Sequence, residues 1–457
     1  MKNDLLKGNP IRAVILFALP IMASSLLQYS YNFVDNIIVG RYVGTEALAA
    51  VGNISSINSF IIGTALGLTS GFTIPVAQKF GAQDYKAMNK YAGNSIALSF
   101  LIGVVIAVVA HFISDPILRL INTPEDIIEL SAAYINILYF GVPIQMLFNN
   151  FTGIARALGD SKRPLYFLVV SVIVNLALDI LLVRNLGMGV EGAAFATVFS
   201  YFVAAVFAGI YVLKKEKSLD VKLSDLKLSG RHCWEQLKLG IPVSLQFTIT
   251  SIGSMVLQTA INAFGSSAIA AITAAGRVEQ VMNIPMSGLG VSNSTFVSQN
   301  YGAKQYERIL RSVKNIFILD LLVSVACSAV LIFAGPHVVQ WFVDEPDAQL
   351  LSYADQYLYT IGGCYMFVSV LFVFRNTLQG LGCTYANAIA GAGELVGRIL
   401  VAYLFTPVLG FAAVCFAGPC AWVLADIPLI VIYLRKRKKF KALIQSQEGV
   451  KPCRTTM

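Results

Sequence analysis

The sequence predicts an all-α membrane protein with twelve transmembrane helices in two six-helix lobes, related by a pseudo-two-fold axis along the membrane normal. Three observations carry that prediction. Apolar runs of about 20 residues, the length that crosses a bilayer, recur along the whole chain. The first half of the sequence reappears in the second, and Lys and Arg gather in one set of the connecting segments. The chain is 56% hydrophobic and only 13% charged, where a soluble protein carries about 25% charged residues.

The apolar runs fall near 13–39, 48–76, 91–113, 132–157, 165–184, 189–213, 237–264, 268–297, 310–333, 353–380, 385–407 and 410–434. The repeat is visible at the start of spans one and seven, where Ala18-Leu19-Pro20-Ile21 is matched by Gly240-Ile241-Pro242-Val243. It continues in Gly81-Ala82-Gln83-Asp84-Tyr85, matched by Gly302-Ala303-Lys304-Gln305-Tyr306. Gly67, Leu68, Val76 and Gln78 also find identical partners in Gly288, Leu289, Val297 and Gln299. An even number of spans per copy gives both copies the same orientation, hence an axis along the membrane normal. The expected organisation is an N-terminal lobe over 1–213, a cytoplasmic linker over 214–235, a C-terminal lobe over 236–434 and a basic tail over 435–457.

Charge sets the orientation. With the N-terminus inside, cytoplasmic segments and the cytoplasmic ends of spans hold 28 of the 34 Lys and Arg, including Lys214, Lys215, Lys217, Lys222, Lys227 and Arg435-Lys436-Arg437-Lys438-Lys439. External segments hold Arg41, Arg119 and Arg184, and Arg277, Arg375 and Arg398 lie within spans. This positive-inside pattern puts both termini in the cytoplasm of a cell-membrane protein and the acidic loops 115–129 and 344–355 outside. It also accounts for the net charge of +9 without a nucleic-acid partner. The first span is not read as a cleaved signal, because its apolar run continues to Val39 and its repeat copy lies mid-chain. The seven cysteines, Cys233, Cys327, Cys364, Cys383, Cys415, Cys420 and Cys453, lack metal-ligand spacing and suit packing.

Between the halves, the alternating charges of 214–235 suit a solvated linker with a short surface helix. In the loops after spans two and eight, glycine is expected to end the helix and turn the chain. Tyr85 and Tyr306 suit the membrane–water interface. Pro20 and Pro242 each remove a backbone hydrogen bond inside a span, leaving either a static kink or a hinge.

The intramembrane polar residues carry the functional information. A charge at a helix centre costs about 2.5–3.5 kcal/mol even on the mild insertion scale, so it needs a partner, a cavity or a proton. Asp35 sits in the outer half of span one. Asn175 and Asp179 lie four apart on one face of span five, and Thr197 in span six adds a hydroxyl. Two carboxylates, an amide and a hydroxyl are hard oxygen ligands, suited to a proton or an alkali cation such as Na⁺. Carboxylates that come close resist ionising together, as proton coupling requires. Gln28, Asn149, Asn150 and Gln246 are uncharged polar residues in spans one, four and seven, for which cavity-facing and helix-packing roles are both open.

The second half differs. The repeat partner of Asp35 is Val256 or Leu257, and the Gly159–Gly382 match pairs Asn175 with Arg398 and Asp179 with Ala402. Glu394 and Arg398 stand four apart on one helix and are expected to neutralise each other. Glu279, Asp320 and Asp426 receive no role. No Gly-x-x-x-x-Gly-Lys-Ser/Thr loop is present, so ATP binding by that device is excluded. His111, His232 and His337 are scattered, and no soluble stretch is large enough for an enzyme domain.

From about residue 5 to 435 the chain resembles the multidrug and toxic compound extrusion (MATE) transporters. The resemblance rests on Pro20 followed by Asp35 in Tyr31-Asn32-Phe33-Val34-Asp35, and on Arg156-Ala157-Leu158-Gly159-Asp160-Ser161-Lys162. It rests further on Asn175-x-x-x-Asp179, Gly192-Ala193-Ala194-x-Ala196-Thr197 and Gln299-Asn300-Tyr301-Gly302-Ala303. It implies a DinF-like member, in which Asp35, Asn175, Asp179 and Thr197 form the first-lobe cation or proton site and Pro20 bends span one. The NorM-like branch has an acid in span seven, which Gly240–Thr250 lacks here. The function then expected is efflux of organic, cationic and amphipathic compounds through a cavity between the lobes. Inward H⁺ or Na⁺ drives it, with no cofactor and a monomer as the working unit. A flippase for a lipid-linked sugar would want a more basic cavity. A non-transporting scaffold would not need clustered intramembrane acids.

Overall fold

The computed structural model describes residues 5–120, 123–216, 218–342 and 347–448. Lys217, Cys453, the first residues of the acidic 344–355 loop and the last of the basic tail lie outside the described residues. All regular structure among the described residues is helical.

Twelve long helices follow one another: α1 Pro10–Tyr42, α2 Ser55–Gly81, α3 Tyr85–Leu120, α4 Glu125–Ala157, α5 Lys162–Asp179 and α6 Gly189–Ile210 in the first half. The second half holds α7 Gly230–Asn262, α8 Ser266–Gly302, α9 Tyr306–Ala329, a two-part α10 (Ala348–Cys364 and Met366–Gly380), α11 Tyr385–Leu400 and α12 Ala417–Glu448. Among the described residues ten spans are long and apolar enough to cross a membrane, and α10, bent by 54°, makes an eleventh. Helix α8, 37 residues long, is the most informative. Its polar residues Ser292, Asn293, Ser298, Gln299 and Asn300 are buried against neighbouring helices rather than offered to lipid. Asn293 donates to Thr377 Oγ1 at 2.8 Å and Ser298 to the Gly380 carbonyl at 3.0 Å, both on α10. Interhelical hydrogen bonds of this kind hold a span that hydropathy alone would miss.

The sequence repeat is reproduced in backbone geometry. Gln83 and Lys304, at matching positions, both take left-handed φ, 58° and 56°. The next amide closes back on the helix in each copy, Asp84 to Lys79 at 3.0 Å and Gln305 to Asn300 at 2.9 Å. That is the Schellman closure of a helix end. The expectation that glycine makes this turn is therefore corrected. Gly81 is still helical, and a side chain there would collide with the Gln299 carbonyl. Close approach demands the glycine, and the turn falls to Gln83. The Asp160 carboxylate caps α5 through the amides of Lys162 at 3.1 Å and Arg163 at 3.2 Å.

By contact the chain divides into two compact units. The first contains Phe17–Phe80 and Asp84–Ser251. The second contains the segment up to Leu16, Gly81–Gln83 and the chain from Ile252 onward. Helix α1 thus changes unit at Leu16/Phe17, and α7 changes at Ser251/Ile252.

The segment between the halves keeps most of its charged side chains exposed and carries a short helix, and it is also docked along one side. Asp220 donates its amide to Asn89 at 3.2 Å and Ser229 to Asn94 at 3.0 Å, both acceptors on α3. A methyl group at Gly93 would come within 2.5 Å of the Asp225 carbonyl. Single-turn helix Leu223–Leu226 therefore lies directly on α3. Asn94 also donates to Gln236 at 2.7 Å, and Gln236 in turn donates to the Phe72 and Tyr91 carbonyls at 3.1 and 2.8 Å. Both side chains are buried, so the start of α7 is tied into the first unit by fully used amides.

Candidate functional site

Within the first unit, α1, α4, α5 and α6 bring their polar faces together. Asp35 comes from α1, and Asn175 and Asp179 from successive turns of α5. Asp35, Asn175 and Asp179 are 9%, 2% and 1% exposed. Asn175 donates to Thr197 Oγ1 at 3.5 Å, and the Tyr31 hydroxyl lies 3.3 Å from the same oxygen. The carboxyl groups of Asp35 and Asp179 are near enough to act on each other electrostatically. All four residues of the expected cation set therefore belong to one cluster.

The chemistry of that cluster follows from its donors. Ionised carboxylates only accept, so Asp35 and Asp179 cannot satisfy one another. Asp35 Oδ1 and both oxygens of Asp179 are buried with no donor among the described residues. Buried acceptors without donors are expensive, and a proton or a small cation shared by the two acids removes the cost. Immediately after Asp179 the helix widens to a π-helix over Ile180–Asn185, a local irregularity that recurs at functional sites.

Asp35 and Thr197 also line a cavity of about 260 Å³. Tyr31, Tyr134, Gln145 and Tyr201 share its wall. Drug-sized pockets run to about 300–1,000 Å³, so this chamber suits an ion with its water better than a whole organic compound. The sequence signals these wall residues unevenly. Tyr31 is four before Asp35 and Tyr201 four after Thr197, each on the same helix face as its polar partner. Tyr134 and Gln145 arrive from α4 by packing alone, for which no local pattern exists.

The other expected residues divide. Gln28 is exposed and donates to Tyr201 at 3.5 Å, at the edge of the same cluster. Asn149 is half-buried. Asn150 is fully buried and accepts from Ser95 on α3 at 3.2 Å, and Gln246 is buried and donates to Thr250 on its own helix at 3.3 Å. For those two, burial favours helix packing over a cavity surface. Pro20 sits inside a continuous α1, with its carbonyl accepting from Ser24 Oγ at 2.8 Å.

In the second unit the charges are arranged differently from their sequence spacing. Glu394 is ion-paired with Arg375, which reaches it from α10. Arg398 donates to Ser254 Oγ at 3.1 Å. The i, i+4 rule that pairs Glu394 with Arg398 sees only one helix, and α10 adds Arg375 as a further base. Glu279 accepts from the Tyr357 hydroxyl at 2.7 Å.

Comparison with known proteins gives the same architecture. The MatE family model matches residues 20–181 and 242–404, one match for each copy of the repeat. The chain is 29% identical to the probable multidrug resistance protein YpnP of Bacillus subtilis, over 83% of this chain and 84% of that one. It is 28% identical to the probable multidrug resistance protein YoeA of the same organism, over 96% and 97% of the two chains. A crystal structure of MATE in the bent conformation superposes with a TM-score of 0.87 at 27% identity, covering 97% of this chain and 98% of that one. With twelve helices in sequence order, a repeat matched copy by copy and relatives aligned along nearly their full length, the chain belongs to the MatE family of multi-pass membrane transporters.

Proposed function

We propose that the protein is a secondary antiporter of the cell membrane, exporting organic, cationic and amphipathic compounds in exchange for H⁺ or Na⁺. The observation that carries this reading is the pair of buried carboxyls, Asp35 and Asp179, facing each other without a donor among the described residues. Such a pair binds a proton or small cation more tightly than either acid alone, and releases it when the surroundings become wetter. Asn175 and Thr197 add neutral oxygens, and the adjoining chamber gives the ion a hydrated route. The names of the relatives support multidrug compounds as cargo. The Lys- and Arg-rich connecting segments support cytoplasmic termini.

Exchange follows if cation occupancy of the acids favours one orientation of the transporter and the organic compound favours the other. No cofactor is needed, because the ion gradient supplies the free energy. The test is flux of a fluorescent organic cation from proteoliposomes under separately imposed pH and sodium gradients. Flux driven by one gradient and absent without it is expected. Flux indifferent to both would end the antiport reading. Movement of a lipid-linked sugar in the same vesicles, without organic cation flux, would favour a flippase instead.

A further inference from the structure

Beyond Leu434, where its apolar stretch stops, α12 continues as a helix to Glu448. The added turns are held against the protein. Phe440 is 4% exposed and stacks on Tyr306 with ring centroids 5.0 Å apart, and Tyr301 lies 6.2 Å from the same ring. Two turns earlier Tyr433, itself buried, packs on Phe374 of α10 at 4.8 Å. Tyr433 and Phe440 are seven residues apart and share one helix face. Through that face the extension is pinned to the turn that closes α8 and opens α9. All of these residues belong to the second unit.

Away from that face the extension is basic. Arg435, Arg437, Lys438, Lys439 and Lys441 are all exposed, and none is in an ion pair among the described residues. The positive-inside rule accounts for bases at this end of the span but not for the shortage of acids, which count little in that rule. The basic segments of the first unit do carry acids: Lys79 meets Asp84 at 3.4 Å, Arg163 meets Asp160 at 2.7 Å and Arg231 meets Glu235 at 3.1 Å. Around the second-unit turn, Lys304, Arg311 and Lys314 are exposed as well, and Glu307 is the one acid between 302 and 314. From Arg435 to Lys441 the helix rises about 9 Å. The headgroup layer beyond the hydrocarbon is roughly 5–7 Å thick, and long basic side chains bend back toward it.

We propose that the basic surface of the α12 extension, presented by the Phe440 pin, docks anionic phospholipids of the leaflet at which the C-terminus emerges. Headgroup phosphates supply the negative charge that the second unit lacks at this end. Each base held near an anionic leaflet strengthens association about fivefold. The pin adds to this, because a helix already ordered against Tyr301 and Tyr306 loses little freedom on binding. A nucleic acid carries similar charge, but the bilayer already lies beside Arg435, at the end of the span. The surface belongs to the second unit and adds a membrane contact to the exchange proposed at Asp35 without depending on it.

The test is electron spin resonance of the full chain in phosphatidylcholine bilayers holding a trace of spin-labelled phosphatidylglycerol or spin-labelled phosphatidylcholine. Averaged over all the lipid around the protein, the unsubstituted chain should prefer phosphatidylglycerol about threefold or more at low salt. Arg435→Gln/Lys438→Gln/Lys439→Gln/Lys441→Gln should remove most of that preference. Lys86→Gln/Lys90→Gln/Lys214→Gln/Lys215→Gln, an equal loss of charge from the first unit, should leave most of it. Phe440→Ala keeps every base and should still weaken the preference. Should the multiple variants fail to insert, salt of about 1 M, which cuts the screening length to about 3 Å, should abolish the preference of the unsubstituted protein. No preference at low salt, or one untouched by the four α12 substitutions, overturns the surface. Equal falls in the two quadruple variants overturn its place in the second unit, and a full preference in Phe440→Ala overturns the pin. Displacement of the lipid by inorganic phosphate or by a short oligonucleotide at constant ionic strength overturns the choice of phospholipid. The bilayers are symmetric and carry no gradient, so each outcome is independent of the side the termini face and of the antiport reading.

Discussion

At the scale of single residues, the buried charges around Asp35 and Asp179 and those around Glu394 and Arg375 make different demands. Asp35→Asn or Asp179→Asn keeps the side-chain volume and removes a charge from a site with few other anions. The loss of one charged ligand there is worth on the order of 3 kcal/mol, roughly a hundredfold in cation affinity. Gradient-driven flux of either variant should fall to near background while membrane insertion, read from folded yield, is unchanged. Arg375→Gln should behave in the opposite way. It removes the α10 partner of the buried Glu394, a change costing about 3–5 kcal/mol. A marked fall in thermal midpoint is expected; a midpoint as high as that of the unsubstituted protein would show that Arg375 is dispensable. The first cluster was legible in the sequence because all its acids are misfits in apolar helices. The second was half-legible. Glu394 stood out, but Arg375 is distant in sequence and meets it only through helix packing.

Among the helices, α1 and α7 are repeat copies with a proline at matching positions, yet they are used differently. Pro20 has no amide to offer the Leu16 carbonyl, and the boundary between units falls at Leu16/Phe17, at that weakened bond. In α7 the boundary falls at Ser251/Ile252, two turns or more beyond Pro242. Pro20→Ala should therefore lower turnover far more than Pro242→Ala, with cation affinity little changed in both, because no ligand is touched. Equal losses in well-expressed variants would reduce both prolines to static kinks. Sequence pattern gave the helices unequally. Strongly apolar spans such as α3 and α9 are obvious from composition. The more polar α8 reads as an apolar run over 268–297, although its Asn and Ser side chains face other helices. The 54° bend in α10 follows directly on Gly362-Gly363, a glycine pair inside an apolar run that periodicity does not weigh.

At the scale of the whole molecule, the linker is more than a surface tether. Its charged side chains stay mostly exposed, but backbone-to-side-chain bonds, invisible to composition, fix it to α3. Asn94 is the hub, accepting from Ser229 and Cys233 and donating to Gln236. Asn94→Ala removes several buried bonds at about 1 kcal/mol each. Limited proteolysis should then cut within 218–229 much faster than in the unsubstituted protein, and equal cutting would mean that the docking contributes little. The docked segment also matters for how the protein is made. The first repeat ends near residue 213, but the first unit takes in α7 as far as Ser251. A nascent chain that has delivered six helices to the bilayer still leaves the Phe72 and Tyr91 carbonyls without the Gln236 amide that covers them. Completion of the first unit must wait for the opening of the second repeat to leave the ribosome. The duplicated halves are thus unequal partners in biogenesis: one cannot finish folding until the other has begun.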